Sequence, residues 1–296
     1  MYIPFASFMG VLITLLIMFN SVLSVQAGQV LSLLVFHLVG FSTISLILVF
    51  TSKSRHSGQI PLYLCSAGVI GVLVVFLNNI CFAILGASVT LSLVIMGQTV
   101  GSILIDSFGF LNMKRHRFEK RKWFGYLLML SGILVMVDTW KFQALYVLLA
   151  FITGILVILT MVLNSQLGIR IGVLKATRMN YLTGLTTVIF LILFTGFELK
   201  DSLGILAGIH PVYIFGGGIT GVCIVIGFNM IVPKIPTVYT TILVFLGQIG
   251  TGLVIDGVSG QTLMSKTIAG AGIVLLGLGF NIRVDLHGQK QIRHSA

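Results

Sequence analysis

The stretch GQTVGSILID at residues 97–106 returns 150 residues later as GQIGTGLVID at residues 247–256. The match extends beyond this motif, because residues 61–106 align with residues 211–256 at the same spacing and without gaps. Identical positions in that alignment include Pro61/Pro211, Gly68/Gly218, Gly71/Gly221 and Asn79/Asn229. Identity on this scale indicates two copies of one structural unit.

The composition predicts that this unit lies in a membrane. Of the 296 residues, 57% are hydrophobic and 8% are charged, whereas soluble domains carry about 25% charged residues. An apolar run of about 20 residues is long enough to cross a bilayer as a helix. Ten such runs are predicted, near residues 4–25, 30–50, 60–82, 87–108, 122–138, 143–167, 179–198, 210–231, 238–256 and 266–282.

The repeat reaches every predicted helix. Asn20, Gly28 and Gly40 recur 144 residues later as Asn164, Gly172 and Gly184, and Gly125 and Gly132 recur 145 residues later as Gly270 and Gly277. The unit is therefore five helices long. We predict a first five-helix membrane repeat at residues 1–140, a second at residues 141–282, and a short cytoplasmic tail at residues 283–296.

The charges predict that the second repeat is inverted. Five is an odd number, so the second copy must enter the membrane from the opposite side. The side that holds the N-terminus carries fifteen of the 18 lysines and arginines in its predicted loops and tail, including residues 114–122 and the trio Arg170, Lys175 and Arg178. Lysine and arginine accumulate in cytoplasmic loops. The predicted fold is therefore an all-α membrane protein with ten transmembrane helices, arranged as two inverted repeats around a central cavity, with both termini cytoplasmic.

The same charge distribution limits the partners. The net charge of +11 is explained by cytoplasmic loops that meet lipid headgroups, so we predict the lipid bilayer, and no nucleic acid, as a partner. Cys65, Cys81 and Cys223 all lie in apolar runs without metal-ligand spacing. No metal and no cofactor are predicted.

Three segments of the chain resemble a known family. Residues 91–109 (LSLVIMGQTVGSILIDSFG) are similar to the fourth-helix motif of the bacterial YdcZ-like branch of the drug/metabolite transporter superfamily. Residues 122–134 resemble its fifth helix, and residues 164–168 (NSQLG) its first helix. The resemblance implies a fused pair of five-helix units that moves small metabolites or drugs by alternating access, often outward.

The two copies also depart from that pattern. The first has Val22-Leu23-Ser24 where the second has Gln166-Leu167-Gly168, and the second has Ile235-Pro236 where the first has Leu85-Gly86. These differences suggest that the two halves have specialised.

The two repeated glutamines are the first candidates for a binding site. Gln98 and Gln248 lie near the middle of the fourth and ninth predicted helices, each directly after a glycine. Amides at mid-depth could line a substrate site. They could equally hydrogen-bond across helices that small residues allow to pack closely.

The asparagines form the second set of candidates. Asn20, Asn78 and Asn79 are predicted toward the outer ends of their helices, and Asn164 and Asn229 toward the inner ends. One hypothesis is that they form polar layers that act as gates above and below the cavity. The alternative is that each asparagine ties down a neighbouring backbone carbonyl.

Three ionisable residues are weaker candidates for coupling or structure. Asp106 and Asp256 recur eight residues after the two glutamines, near opposite interfaces, where a helix cap or an ion pair is expected. A membrane carboxylate could also carry protons. His37, predicted near the outer end of the second helix, could titrate near neutral pH or serve as an interfacial hydrogen-bonding group.

The function predicted from these features is a secondary transporter of the cytoplasmic membrane that exports a small organic molecule. An intramembrane enzyme would need convergent His, Asp or Glu side chains at one depth, which the spacing does not provide. A channel or a non-transporting membrane protein is the alternative that stays open, together with the coupling ion and the oligomeric state.

Overall fold

A computed structural model describes residues 2–51, 60–109, 121–136, 140–198, 204–235, 237–258 and 265–294. Within these ranges the chain forms ten α-helices and one 3-10 helix (Gly204–Gly208), and no strand. The α-helices are α1 (Tyr2–Ala27), α2 (Gln29–Thr51), α3 (Leu62–Leu85), α4 (Ala87–Phe108), α5 (Lys122–Met136), α6 (Trp140–Ile171), α7 (Val173–Thr195), α8 (Pro211–Ile231), α9 (Thr237–Val258) and α10 (Ser265–His294). A helix satisfies its own backbone N–H and C=O groups, which an apolar chain requires in lipid.

Seven of these helices are long and apolar enough to cross a membrane. Among the described residues they are α1 to α4 and α6 to α8. Of the other three, α5 has 15 residues, and α9 and α10 contain the shorter apolar segments Leu243–Gly252 and Ile268–Asn281. The prediction of an all-α, multi-pass membrane protein is confirmed, and by length and composition seven spans are found where the sequence predicts ten.

Single glycines join consecutive helices in both halves. Gly28 is the one residue between α1 and α2, and Gly172 is the one residue between α6 and α7. Their φ angles are 83° and 87°, a left-handed region that a side chain disfavours and glycine adopts readily. The repeat therefore preserves this glycine because the chain reverses direction there within one residue.

The linker at Gly172 is shorter than the sequence predicts. Arg170, Lys175 and Arg178 were expected in a loop, but Arg170 belongs to the last turn of α6 and the other two to the first turns of α7. The predicted tail also begins inside α10, which continues to His294. Polar and basic residues can continue a helix beyond its apolar part, because their side chains reach water while the backbone stays hydrogen-bonded. The basic residues 114–120 lie outside the described ranges.

Glycines allow α4 to approach α6, and α9 to approach α1, in the same way. A Cβ atom at Gly97 would overlap the carbonyl oxygen of Phe151 on α6, and one at Gly247 would overlap that of Ser7 on α1. The opposing glycines are Gly154 and Gly10, themselves 144 residues apart. Two helix pairs that the repeat relates thus share one kind of close backbone contact.

Two pairs of helices that the repeat relates, with one helix from each half, cross in antiparallel directions. On α2 and α7, Gly40 packs on the ring of Tyr181, whereas His37 packs on Gly184, so the residue order runs in opposite directions along the two helices. On α5 and α10, Gly125 meets Gly277 and Gly132 meets Gly270. The end of the bundle that holds Gly28 is called the Gly28 side below, and the opposite end, which holds Gly172, the Gly172 side.

Candidate functional site

A cavity of about 140 Å³ lies among α1, α2, α3, α4, α6, α7 and α8. Its wall is mostly aliphatic and aromatic, with a few amide and hydroxyl groups. No aspartate, glutamate, lysine or arginine lines it among the described residues. Such a largely apolar pocket with a few polar groups is typical of a small-molecule site.

Most of the lining consists of positions that the repeat relates. Five lining pairs are 144 residues apart, on α1 with α6 and on α2 with α7: Ile13/Val157, Leu16/Thr160, Ile17/Met161, Phe36/Asn180 and His37/Tyr181. Four lining pairs are 150 residues apart, on α3 with α8: Gly71/Gly221, Val74/Ile224, Val75/Val225 and Asn78/Phe228. The cavity therefore lies between the two halves and receives nearly equivalent walls from both.

Four lining residues lack a lining counterpart. Ala67, Val94, Gln98 and Asn164 contact the cavity, whereas the equivalent Gly217, Val244, Gln248 and Asn20 do not. Ala67 and Asn164 both lie toward the Gly172 side of their helices. The cavity is thus symmetric at its centre and extends further toward the Gly172 side.

The two candidate glutamines occupy different environments. Gln98 lines the cavity with 3% of its surface exposed. Gln248 is fully buried between α9 and α1, and among the described residues neither its Nε2 nor its Oε1 has a hydrogen-bond partner. Because an unpartnered buried amide costs about 1–3 kcal/mol, the site around Gln248 carries unsatisfied hydrogen-bonding capacity.

Asn164 and Asn20 differ in the same way. Asn164 lines the cavity, and its Nδ2 donates to Oδ1 of Asn180 across 3.1 Å, while its own Oδ1 has no partner in the described part of the chain. Asn20 packs against Gly217, where a Cβ atom would overlap its Oδ1, and both of its amide atoms lack partners within the same residues. At the position equivalent to Gly217, Ala67 carries a methyl group. Because Gly217 on α8 has no side chain, Asn20 of α1 has room to pack against it.

Asn79 and Asn229 lie outside the cavity lining and join neighbouring helices. Nδ2 of Asn79 donates to Oε1 of Gln29 across 3.4 Å, and Nδ2 of Asn229 donates to the Thr177 hydroxyl across 3.4 Å. The first bond links α3 to the start of α2, and the second links α8 to the start of α7. Of the six candidate amides, the structure thus brings Gln98 and Asn164 to the cavity and leaves Asn20, Asn79, Asn229 and Gln248 buried between helices.

His37 is a wall residue of the cavity and lies away from the membrane-facing surface. It is eight residues into α2 and 3% exposed. Its Nδ1 is 2.8 Å from the Leu33 carbonyl oxygen, and since a carbonyl can only accept, Nδ1 is the donor. In the neutral ring this leaves Nε2 as an acceptor. The ring packs on the Gly184 backbone inside the bundle.

Of the two aspartates, the structure describes the side chain of Asp106 alone. Asp106 is 5% exposed in the last turn of α4 and does not line the cavity. Asp256 belongs to the last turn of α9, and its side chain is outside what the structure describes. Among the described residues no group of three His, Cys, Asp or Glu side chains is placed to hold a metal ion.

Two lining residues escaped the reading of the sequence as site residues. Asn180 was missed because its counterpart is Phe36, so a search for recurring polar residues passes over it. Tyr181, the counterpart of His37, is 1% exposed, and its hydroxyl has no hydrogen-bond partner among the described residues. Both are found when a pair of equivalent positions is kept as a candidate even if a polar residue occurs in one copy alone or the two polar residues differ.

Comparison with known proteins agrees with this architecture. A family model described as "Putative inner membrane exporter, YdcZ" matches the chain twice, over residues 1–135 and again over residues 145–280. No curated protein matches the chain. The two matched segments correspond to the two copies of the repeat.

Proposed function

Because the chain belongs to the YdcZ family of inner membrane exporters, we propose that it is a secondary transporter that exports a small organic molecule by alternating access. It is a multi-pass inner membrane protein whose family function is transport rather than catalysis. The observation that carries the proposal is the cavity whose wall is built almost equally from the two halves but extends toward one side.

We propose ten spans in two inverted repeats. The antiparallel crossings of α2 with α7 and of α5 with α10 support this topology, because each pair consists of helices that the repeat relates. The short helix α5 packs along α10, and α9 packs on both α1 and α4. These contacts are consistent with α5, α9 and α10 crossing the membrane beside the seven longer helices.

The orientation follows from the charges. Arg170, Lys175 and Arg178 lie on the Gly172 side, close to the linker between α6 and α7. Since basic residues accumulate in the cytoplasm, the Gly172 side is cytoplasmic and both termini are inside. The extension of the cavity past Ala67 and Asn164 then points to the cytoplasm, where an exporter collects its substrate.

In this mechanism the two halves exchange their conformations during transport. In the cytoplasm-facing state, Gln98 and Asn164 line the cavity while Gln248 and Asn20 are sealed. In the opposite state the pseudo-equivalent set, Gln248 and Asn20, lines the cavity and the first set is sealed. The unpartnered amide atoms of Gln248 and Asn20 support this exchange, because exposure to the cavity would give them water or substrate as partners.

In this proposal a solute gradient supplies the energy, which is what defines a secondary transporter. Proton coupling would require a group that takes up and releases a proton during the cycle, and Asp106, Asp256 and His37 are the residues to test for that role.

Proteoliposomes loaded with a metabolite and toxin panel, with and without an imposed pH gradient, test the function. Saturable flux and counterflow are expected, since a carrier binds one substrate per cycle. Flux that rises linearly with concentration and shows no exchange would instead indicate a pore.

Substitutions of the glutamines test the site. Gln98→Ala and Gln248→Ala should each lower transport at least tenfold, or about 1.4 kcal/mol of the transport barrier, without lowering the amount of folded protein. Gly250→Ala is the matched control, because a Cβ atom there meets open space. Normal transport by both glutamine variants would show that the site is elsewhere.

A further inference from the structure

Each end of the cavity is lined by one phenylalanine and one asparagine, but the repeat-related helices that supply them are exchanged between the two ends. Toward the Gly28 side, Phe36 comes from α2 and Asn78 from α3. Toward the Gly172 side, the equivalent positions are reversed in type, with Asn180 from α7 and Phe228 from α8. Each end therefore offers one phenyl ring and one amide, although no residue type is conserved between the paired positions.

The depths of four lining residues agree. Phe36 is seven residues from the start of α2, and Asn78 is seven residues from the end of α3. Asn180 is seven residues from the start of α7, and Asn164 is seven residues from the end of α6. Seven residues correspond to about 10 Å of helix. Phe228 is three residues from the end of α8, so the ring of the Gly172-side set lies nearer to its helix end than the two amides do.

Each end of the cavity holds one buried amide oxygen without a hydrogen-bond partner among the described residues. At the Gly28 side it is Oδ1 of Asn78. At the other end, Nδ2 of Asn164 donates to Asn180, and Oδ1 of Asn164 is the oxygen without a partner. Both asparagines are more than nine-tenths buried. An amide oxygen can only accept, so a ligand that satisfies either oxygen must bring an N–H or O–H donor, whereas the Tyr181 hydroxyl of the lining can donate or accept.

Size and charge narrow the ligand further. A cavity of about 140 Å³ resembles in volume the apolar cavity of about 150 Å³ that binds benzene in an engineered protein. The described lining contains no acidic or basic residue apart from His37, and an ion moved there would lose its hydration without a counter-ion.

We propose that the substrate is an uncharged molecule of one or two fused aromatic rings that bears an N–H or O–H donor. At the Gly172 side its ring meets Phe228 and its donor binds Oδ1 of Asn164, which Asn180 positions. At the Gly28 side the ring meets Phe36 and the donor binds Oδ1 of Asn78. The exchanged pairs keep the chemistry of the two ends alike, so the substrate meets similar groups in either state. This inference rests on the proposed transport function for its physiological meaning, but binding alone tests it.

Indole and benzofuran form a matched pair of probes, because they share a shape and differ in the N–H group that benzofuran lacks. Binding of each to the full chain in lipid nanodiscs can be measured by saturation-transfer NMR, with indole-3-carboxylate as the charged analogue. Indole should bind at least fivefold more tightly than benzofuran, since benzofuran leaves an asparagine oxygen unpartnered. Indole-3-carboxylate should bind more weakly than either.

Variants connect that preference to the two ends. Asn78→Leu and Asn164→Leu should each lower the indole-to-benzofuran ratio at least twofold, and the double variant should bring it to about one while benzofuran still binds. Asn281→Leu is the control, because Asn281 is a buried amide of the α5–α10 interface outside the cavity, and it should leave the ratio unchanged.

Equal binding of indole and benzofuran to the unsubstituted protein would overturn the proposal, and so would an unchanged ratio in the folded double variant or tighter binding of the carboxylate. These outcomes are separable from failure of the proposed function. A chain that discriminates the probes but shows no counterflow has the site without carrier activity, whereas counterflow of another compound without discrimination refutes the substrate class alone.

Discussion

Gln98 and Gln248 occupy the same place in a repeated motif, and the structure treats them differently. Each follows a glycine that packs on a neighbouring helix, Gly97 on α6 and Gly247 on α1. Gln98 lines the cavity, whereas Gln248 is sealed with both amide atoms unpartnered. The two halves therefore share the backbone packing at these glycines. They differ in whether the glutamine side chain lines the cavity.

This comparison separates two kinds of residue. Glycines at helix crossings occur at equivalent positions in both halves and allow the same close approach of helix backbones, here called the scaffold. Amides beside the cavity differ between the halves, and in the proposed mechanism their exposure changes with the conformation. We expect substitutions of the first kind to damage both halves equally, and substitutions of the second kind to act on one conformation more than on the other.

The largest expected effect is on the scaffold. Gly97→Ala and Gly247→Ala should each lower the free energy of unfolding by about 3 kcal/mol, the upper end of overpacking costs, because the added Cβ atom meets a backbone carbonyl that cannot rotate away. Unfolding in SDS titrations gives the measurement, and Gly250→Ala, in open space, should change it by less than about 0.5 kcal/mol. A large loss from one glycine and none from the other would break the equivalence of the two halves.

A smaller effect is expected where the halves differ. Gly217→Ala should lower the free energy of unfolding by about 1–2 kcal/mol, since the new methyl group overlaps Oδ1 of Asn20. Adding Asn20→Ala should recover most of the loss, because the contact is then removed. If the double variant loses as much free energy of unfolding as the two single variants added together, the overlap with Asn20 is not what makes Gly217→Ala unstable.

The smallest effect is expected at the inter-helix hydrogen bonds. Asn79→Ala and Asn229→Ala should each cost about 1 kcal/mol of stability, because each removes one bond between adjacent helices. Transport per folded molecule should change by less than twofold, which a proteoliposome assay normalised to protein content can check. Thr177→Val should reproduce the loss seen for Asn229→Ala, and a tenfold loss of transport in either asparagine variant would place these residues in the transport pathway.

Much of the architecture could be predicted from the sequence. The 144- and 150-residue offsets identify related helices. Gly28 and Gly172 recur at the 144-residue offset, and both have positive φ angles in the structure. The repeat also selected both Gln98 and Asn164. What recurs in a sequence is what the fold needs twice, which is why the scaffold was the more predictable part.

The asymmetric features could not be predicted in this way. Offsets cannot tell that Gln98 faces the cavity and Gln248 does not, because a repeat marks equivalent positions and this difference breaks the equivalence. Asn180 was missed because its partner position holds Phe36, although the pair supplies similar chemistry to opposite ends of the cavity. Helix ends near Arg170 and Lys175 were missed because hydropathy marks the apolar part of a helix, and these helices continue beyond it.

The exchange of the two glutamines between open and sealed positions is the central claim. Thiol labelling tests it most directly, with Gln98→Cys and Gln248→Cys placed separately in a chain whose Cys65, Cys81 and Cys223 are replaced by alanine. A membrane-impermeant maleimide would be applied to each side of oriented vesicles. If the two glutamines exchange positions, Gln98→Cys reacts from the cytoplasmic side and Gln248→Cys from the opposite side. Conditions that speed one labelling reaction should slow the other. Labelling of both positions from one side, or rates that rise and fall together, would contradict it.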